Sequence, residues 1–409
     1  MANDEISHTK IIMLGGRRTG KSTILASVIH ALNDKASHLC TFSDKTPYDA
    51  STGMSVSLID KQYEIRNYIH TRAGHSFNTQ FTVNFDETQT IVEGDFNIEA
   101  SIKGAARIGL DFVDVPGEWM RPANPNHKGL VTHVSEGDVF IIAIDTPYMM
   151  YEDNSSVGEV WNRSVEITEL MNSMKMEDIN DRKQIIFAPI KCEKWATEGR
   201  IDEVVSKVLQ LYRVLINTWV GQKAVEMWVM PILTAGGLEH TRMLDGYRLF
   251  KTEQDEEGEG ELCSRDPLTD VLLLQNGSTT TEGKVYRVEL DPDRSLYISS
   301  TRLPLSWYRV CGDGKYKPRF CEQIAFHILR FLVEKEENAA KLKYEEHRNK
   351  PWYKRIFSRG GRFGRYLPIY RDLINRIPLK VSGDGFMRIN EYVQDDDEGA
   401  AAAESEAVD

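Results

Sequence analysis

Residues 15 to 22 read Gly-Gly-Arg-Arg-Thr-Gly-Lys-Ser, a full match to G-x-x-x-x-G-K-[ST]. That spacing suits one kind of chemistry, the holding of nucleotide phosphates. Gly15 and Gly20 let the backbone curl without Cβ clashes. The N–H groups of Gly15, Gly16, Arg17, Arg18, Thr19 and Gly20, and those of Lys21, Ser22 and Thr23 opening a helix, are expected to point at the anion. Lys21 is expected to reach the β- and γ-phosphates, and the Ser22 hydroxyl to bind Mg²⁺.

Such a loop works only between a strand and a helix, and the flanking sequence supplies both. Ile11 to Leu14 is an apolar run of buried-strand length. Lys21 to Asn33 has no Gly or Pro and carries Ile24, Leu25, Val28, Ile29 and Leu32 at helical spacing.

A second cluster, Asp114-Val115-Pro116-Gly117, follows the strand-like run Ile108 to Val113. An Asp ending a strand beside a phosphate loop holds Mg²⁺, directly or through water. Gly117 offers a backbone N–H to the γ-phosphate. Asp145 also ends an apolar run, Asp138 to Ile144, and is a rival that reads as a supporting residue or a strand cap. Glu118 follows Gly117 and is the candidate to orient an attacking water. A carboxylate there sits poorly beside phosphate unless a cation shields it, so slow hydrolysis is expected. Arg17 either neutralises charge during phosphoryl transfer, pairs with Glu118, or is a solvated loop residue. Thr79, just before the strand-like Gln80 to Phe85, is the candidate Mg²⁺-sensing threonine.

A third cluster, Pro189-Ile190-Lys191-Cys192-Glu193, follows the short strand-like run Gln184 to Pro189. A fourth, Thr234-Ala235-Gly236, follows Val225 to Leu233. With these four elements in order, residues 8 to 240 resemble P-loop GTPases of the translation-factor-related (TRAFAC) class. The resemblance implies that Lys191 lies along a guanine ring, that Glu193 accepts from its N1–H and 2-amino group, and that Thr234 and Ala235 contact the base. Two departures are visible: Ile190 stands where the class has Asn, and Glu193 is one methylene longer than Asp. Within the class, the loop, the Asp-x-Pro-Gly-Glu turn, the Pro-Ile-Lys-Cys-Glu-Lys stretch and Pro318 to Gln323 look most like bacterial double-GTPase-type proteins of conflict or antiviral systems. That narrower resemblance implies a nucleotide-driven switch working with effector proteins, with GTP/GDP and Mg²⁺ as cofactors.

Strands alternating with helices imply an α/β fold with a Ras-like, mostly parallel sheet covered on both faces, plus insertions and a C-terminal extension. Val157 to Met174 and Ile201 to Val220 read as single amphipathic helices. Residues 34 to 76 show no strand, whereas Thr79 to Phe85, Thr90 to Ile102 and Arg107 to Val113 do. The expected organisation is a GTPase-like domain at 8–240 and an insertion with an acidic loop and short strands at 241–317. A helix at 318–348 packs back on the domain, followed by a basic-aromatic extension at 349–394 and an acidic tail at 395–409.

The 409 residues carry a net charge of −12, which argues against nucleic-acid binding by the whole surface. No apolar run reaches membrane-spanning length, and the N-terminus lacks a signal pattern, so a cytoplasmic protein is expected. Five cysteines without a C-x-x-C pair argue against a disulfide framework. One segment departs from the acidic average. Lys350 to Tyr366 holds six Lys or Arg, five aromatics and no acid, which suits an acidic protein, an anionic membrane or single-stranded nucleic acid, or a segment packing its aromatics on the core. The tail from Asp395 to Asp409 has seven acids and no base, and either shields that stretch or is a solubilising end. Three function classes fit: a GTP-hydrolysing switch, a nucleotide-binding scaffold with little hydrolysis, and a P-loop ATPase.

Overall fold

The computed structural model describes residues 7–16, 19–44, 76–78, 94–102, 105, 107–151, 155–174, 182–234, 236–244, 247–251, 261–266, 271–273, 286–290, 297–298, 301–302, 305–310, 315, 317–356 and 359–389. The main sheet is built from β1 (Ser7–Leu14), β2 (Thr41–Asp44), β4 (Gly94–Ser101), β5 (Arg107–Asp114), β6 (Val139–Asp145), β7 (Lys183–Ile190), β8 (Val225–Val229) and β17 (Met387–Arg388). Their order is β17-β8-β7-β6-β1-β5-β4-β2. The five strands β8, β7, β6, β1 and β5 run parallel, while β4, β2 and β17 are antiparallel additions at the edges.

The parallel strands are apolar almost throughout because both faces are covered. On one face lie α1 (Lys21–Asp34), α9 (Cys321–Asn349) and α11 (Phe363–Arg376), packed on Ile11, Leu110, Ile141 and Ile186. On the other lie α2 (His127–Ser135), α5 (Ser164–Asn172), α7 (Ile201–Leu211) and α8 (Arg213–Trp219), packed on Ile12, Phe140, Ile142 and Phe187. Short helices α3 (Thr146–Met149), α4 (Ser155–Asn162), α6 (Glu193–Thr197) and α10 (Trp352–Ile356) complete the set. The strand order and the loop joining β1 to α1 make this a P-loop NTPase-like α/β fold.

Between β8 and α9 the chain leaves the sheet. β9 (Leu238–Leu244) and β16 (Leu305–Val310) pair with each other, and β3 (Ser76–Asn78) joins β16. A four-stranded antiparallel sheet, β10 (Tyr247–Lys251) to β13 (Tyr286–Leu290) with β11 (Glu261–Asp266) and β12 (Val271–Leu273), and the small pair β14 (Tyr297–Ile298) and β15 (Thr301–Arg302) lie in the same insertion.

Three sequence expectations need correction. Val157 to Met174 is two helices, because Arg163 takes a left-handed conformation (φ 55°) and Asn162 turns its amide to the end of β6. Ile201 to Val220 is also two helices, broken at Tyr212, whose buried ring tilts against Phe187 with centroids 5.1 Å apart. A strand, β2, lies in the stretch that showed none: Thr-Phe-Ser-Asp is short and polar, and forms by antiparallel pairing with β4. The strand expected over Thr79 to Phe85 and the start of Thr90 to Ile102 lie outside the described residues.

Candidate functional site

Four loops gather at the carboxyl ends of β1, β5, β6 and β7. In the register, Met13 faces Asp114, Leu14 faces Ile142, and Asp145 faces Ile190. β1 has β5 on one side and β6 on the other, so the chain connections diverge there, the position where open α/β sheets bind ligands.

The loop after β1 is tightly embedded. A Cβ on Gly15 would lie 2.8 Å from the Ala143 carbonyl oxygen, and one on Gly16 only 2.1 Å from that of Trp161. Gly20 has φ 106°, a conformation side chains rarely adopt, and begins α1 without a side-chain cap. The first N–H groups of α1 therefore face outward as donors, the standard anion-binding arrangement. Thr19 Oγ1 donates to Gly16 O at 3.0 Å and ties the loop across itself.

Lys21 is buried, and its ammonium donates to Gly15 O at 3.0 Å and Gly16 O at 2.8 Å. Burial lowers its pKa, while the charges of Asp114 and Glu118 pull it back up. The cation is thus held inside the loop curl, with two carboxylates acting on it. Thr23 follows in the first turn of α1.

Ser22 and Asp114 meet across the site: Ser22 Oγ donates to Asp114 Oδ2 at 2.6 Å. One hydroxyl and one carboxylate are hard oxygen donors of the kind that bind Mg²⁺ together with phosphate oxygens and water. These two residues fit the metal by donor chemistry. Gly117 opens a short 3₁₀ turn, Gly117–Met120, that buries Trp119 and Met120 and leaves Glu118 half-buried.

The loop after β7 begins with Lys191. Lys191 has φ 60°, is buried, and donates its ammonium to Asp145 Oδ2. Its backbone N–H donates to Thr234 Oγ1 at 3.0 Å, and its ammonium lies 5.5 Å from the Tyr308 ring centroid. Asp145, read as a supporting residue or strand cap, is thus the partner of Lys191. Its carboxyl pKa is raised by burial, which outweighs the lowering by Lys191. Glu193 is buried at the start of α6 and accepts the Gly236 N–H at 3.2 Å. That contact joins the third motif to the loop holding Thr234. Cys192 between them is inert: burial pushes its thiol up to about 12.

Arg17, Arg18, Thr79 and Ala235 lie outside the described residues. Three residues here escaped the sequence reading. Asn162 donates to the Asp145 carbonyl and accepts its N–H. Trp161 approaches Gly16 and stacks on Tyr148 with centroids 3.9 Å apart. Tyr308 comes from β16 and is fully buried. None belongs to a motif, and the first two sit inside an ordinary helical pattern.

No protein-family model matches the chain, and no curated protein does. Among solved structures, the GTPase-like domain of S. cerevisiae Ski7 in its GTP-bound form is similar at 17% identity and a TM-score of 0.32, over 56% of this chain and 43% of that one. The same domain bound to GDP and inorganic phosphate is similar at 12% identity and a TM-score of 0.33, over 75% and 72%. The chain spans under half the length of the first of these.

Proposed function

We propose that this chain binds GTP with Mg²⁺ and hydrolyses it slowly, as a molecular switch gated by a protein partner. One observation carries the nucleotide reading: the Lys21 ammonium held in the loop curl, with Ser22 and Asp114 in contact beside it. In this reading the loop N–H groups and Lys21 bind the phosphates, and Ser22 and Asp114 hold Mg²⁺, which neutralises phosphate charge when bound. Gly117 offers its N–H to the terminal phosphate, and Glu118 orients water at a rate limited by its own negative charge. Guanine preference rests on Lys191, Glu193, Thr234 and Ala235. Partner gating, and a place in a bacterial conflict or antiviral system, rest on the motif resemblance to double-GTPase-type proteins.

Ile190, standing where the class has Asn, leaves a P-loop ATPase as the second reading. It packs its Cδ1 3.0 Å from the Cβ position of Gly20, and Lys191 engages Asp145. Thermal shift with GTP and ATP, each with Mg²⁺, separates the two. Stabilisation by GTP that is lost in Lys21→Ala supports the guanine reading, and a larger shift with ATP overturns it. Phosphate release measured with and without Glu118→Gln then distinguishes a switch from a non-hydrolysing scaffold.

A further inference from the structure

α9 runs from the site end of the sheet to the opposite end and beyond it. It begins just after Arg319, which bridges to Leu233 past β8. By Glu334 and Lys335 it has reached the amino ends of the strands, where Glu334 pairs with Arg182 and Lys335 with Asp138. The residues from Glu336 to Asn349 carry it about 20 Å further at 1.5 Å per residue. α11 returns antiparallel: Gly364 meets the Tyr344 ring, and Arg371 Nε donates to Glu337 Oε1 at 2.7 Å. The two helices form a hairpin whose tip is the basic-aromatic segment.

Two aromatic side chains at the tip face solvent, while Phe363 and Tyr366 pack on the core. Trp352 is 71% exposed and Tyr353 52%. Lys350, Pro351, Lys354 and Arg355 around them are exposed too. The segment is ordered locally: Lys354 and Arg355 N–H groups donate to Pro351 O, and Arg355 Nε donates to Lys350 O at 2.6 Å. From Arg348 to Arg365 the sequence has seven Lys or Arg and no acid, following the exposed Glu345 and Glu346 of α9, in a chain of net charge −12. A run of bases free of acids therefore lies at the end opposite the Gly15–Ser22 loop.

We propose that this tip docks on the surface of an anionic phospholipid bilayer, seating Trp352 and Tyr353 in the headgroup layer. Amphipathic aromatic rings favour that layer, and clustered bases are attracted to anionic lipid. The ring geometry favours lipid over nucleic acid. Trp352 and Tyr353 stand at 89° with centroids 6.1 Å apart, so they form one wedge and offer no pair of parallel faces for successive bases. Docked this way, the hairpin holds the phosphate loop on the side of the molecule away from the membrane.

The full chain, sedimented with phosphatidylcholine vesicles with and without phosphatidylserine, is expected to bind only the anionic ones, and less at high salt. Trp352→Ala/Tyr353→Ala and Lys354→Glu/Arg355→Glu should each weaken binding at least about tenfold, with melting temperatures unchanged because these side chains are exposed. In the unmodified protein, brominated lipids should quench tryptophan fluorescence, a readout that needs no variant. Absence of binding to anionic vesicles overturns the proposal, as does undiminished binding by the aromatic variant. Displacement from vesicles by a single-stranded RNA oligonucleotide, with the same residue dependence, overturns it in favour of nucleic acid.

Discussion

The Lys191 ammonium donates to the Asp145 carboxylate, joining the residue after β7 to the last residue of β6. Both are buried, and burial raises the Asp145 carboxyl pKa by more than Lys191 lowers it. Removing one member of a buried pair strands the other without a countercharge. Lys191→Ala is therefore predicted to lose about 3–5 kcal/mol of stability by urea unfolding. A loss below about 1 kcal/mol would mean that the pair contributes little. The double variant Lys191→Met/Asp145→Leu should cost less than the sum of its single changes, because no buried charge remains.

Ser22→Ala tests the second contact of the site. Deleting Oγ removes a hard oxygen donor and leaves the backbone of α1 intact. Nucleotide-induced thermal stabilisation should lose its Mg²⁺ dependence while a metal-free component survives. An unchanged Mg²⁺ response would remove Ser22 from the metal set.

Gly16→Ala and Gly129→Ala should move stability in opposite directions. A Cβ at Gly16 runs into the Trp161 carbonyl oxygen at 2.1 Å, so backbone must shift, at about 1–3 kcal/mol. A Cβ at Gly129, inside α2, meets nothing within 4 Å, and alanine there should stabilise by about 0.5–1 kcal/mol. Denaturant midpoints of the two variants check both signs.

His327 should make the fold acid-sensitive. It is 2% exposed, its Nε2 lies 3.0 Å from Lys380 O, and burial pushes its pKa from 6.5 down to about 4. The hydrogen bond to Lys380 O and the charge of Glu226 pull that value up and Arg330 pushes it down, each more weakly than burial. Between those two pH values the unfolded chain binds a proton that the folded chain refuses, so stability falls as pH drops through that window. The full loss from this residue is about 3 kcal/mol at 1.36 kcal/mol per unit. His327→Gln should flatten the stability profile between about pH 6.5 and 4. A profile as steep as that of the unmodified chain would assign the sensitivity to other groups.

Local sequence was enough to place the tight Gly15–Ser22 loop, because its demands are local: small residues where backbone crowds, a strand before, a helix after. Gly15, Gly20, Lys21 and Ser22 could be named from spacing alone. The alternating strands and helices likewise implied a parallel sheet, since apolar runs such as Val139–Asp145 need cover on both faces. The helix breaks at Arg163 and Tyr212 were not legible, because the apolar period continues through both. Only the folded chain shows Asn162 turning to the end of β6.

The sequence by itself determined the parts of the site that one short segment can build. Tertiary structure decided which segments face one another. Asp145 and Lys191 are 46 residues apart, and Ser22 and Asp114 are 92. Parallel register brings each pair to the same edge of the sheet, so their chemistry depends on which strands lie side by side. The hairpin of α9 and α11 follows the same logic: its bases and aromatics are plain in the sequence, but their exposure at the end opposite the loop exists only because two helices pack past the edge of the sheet.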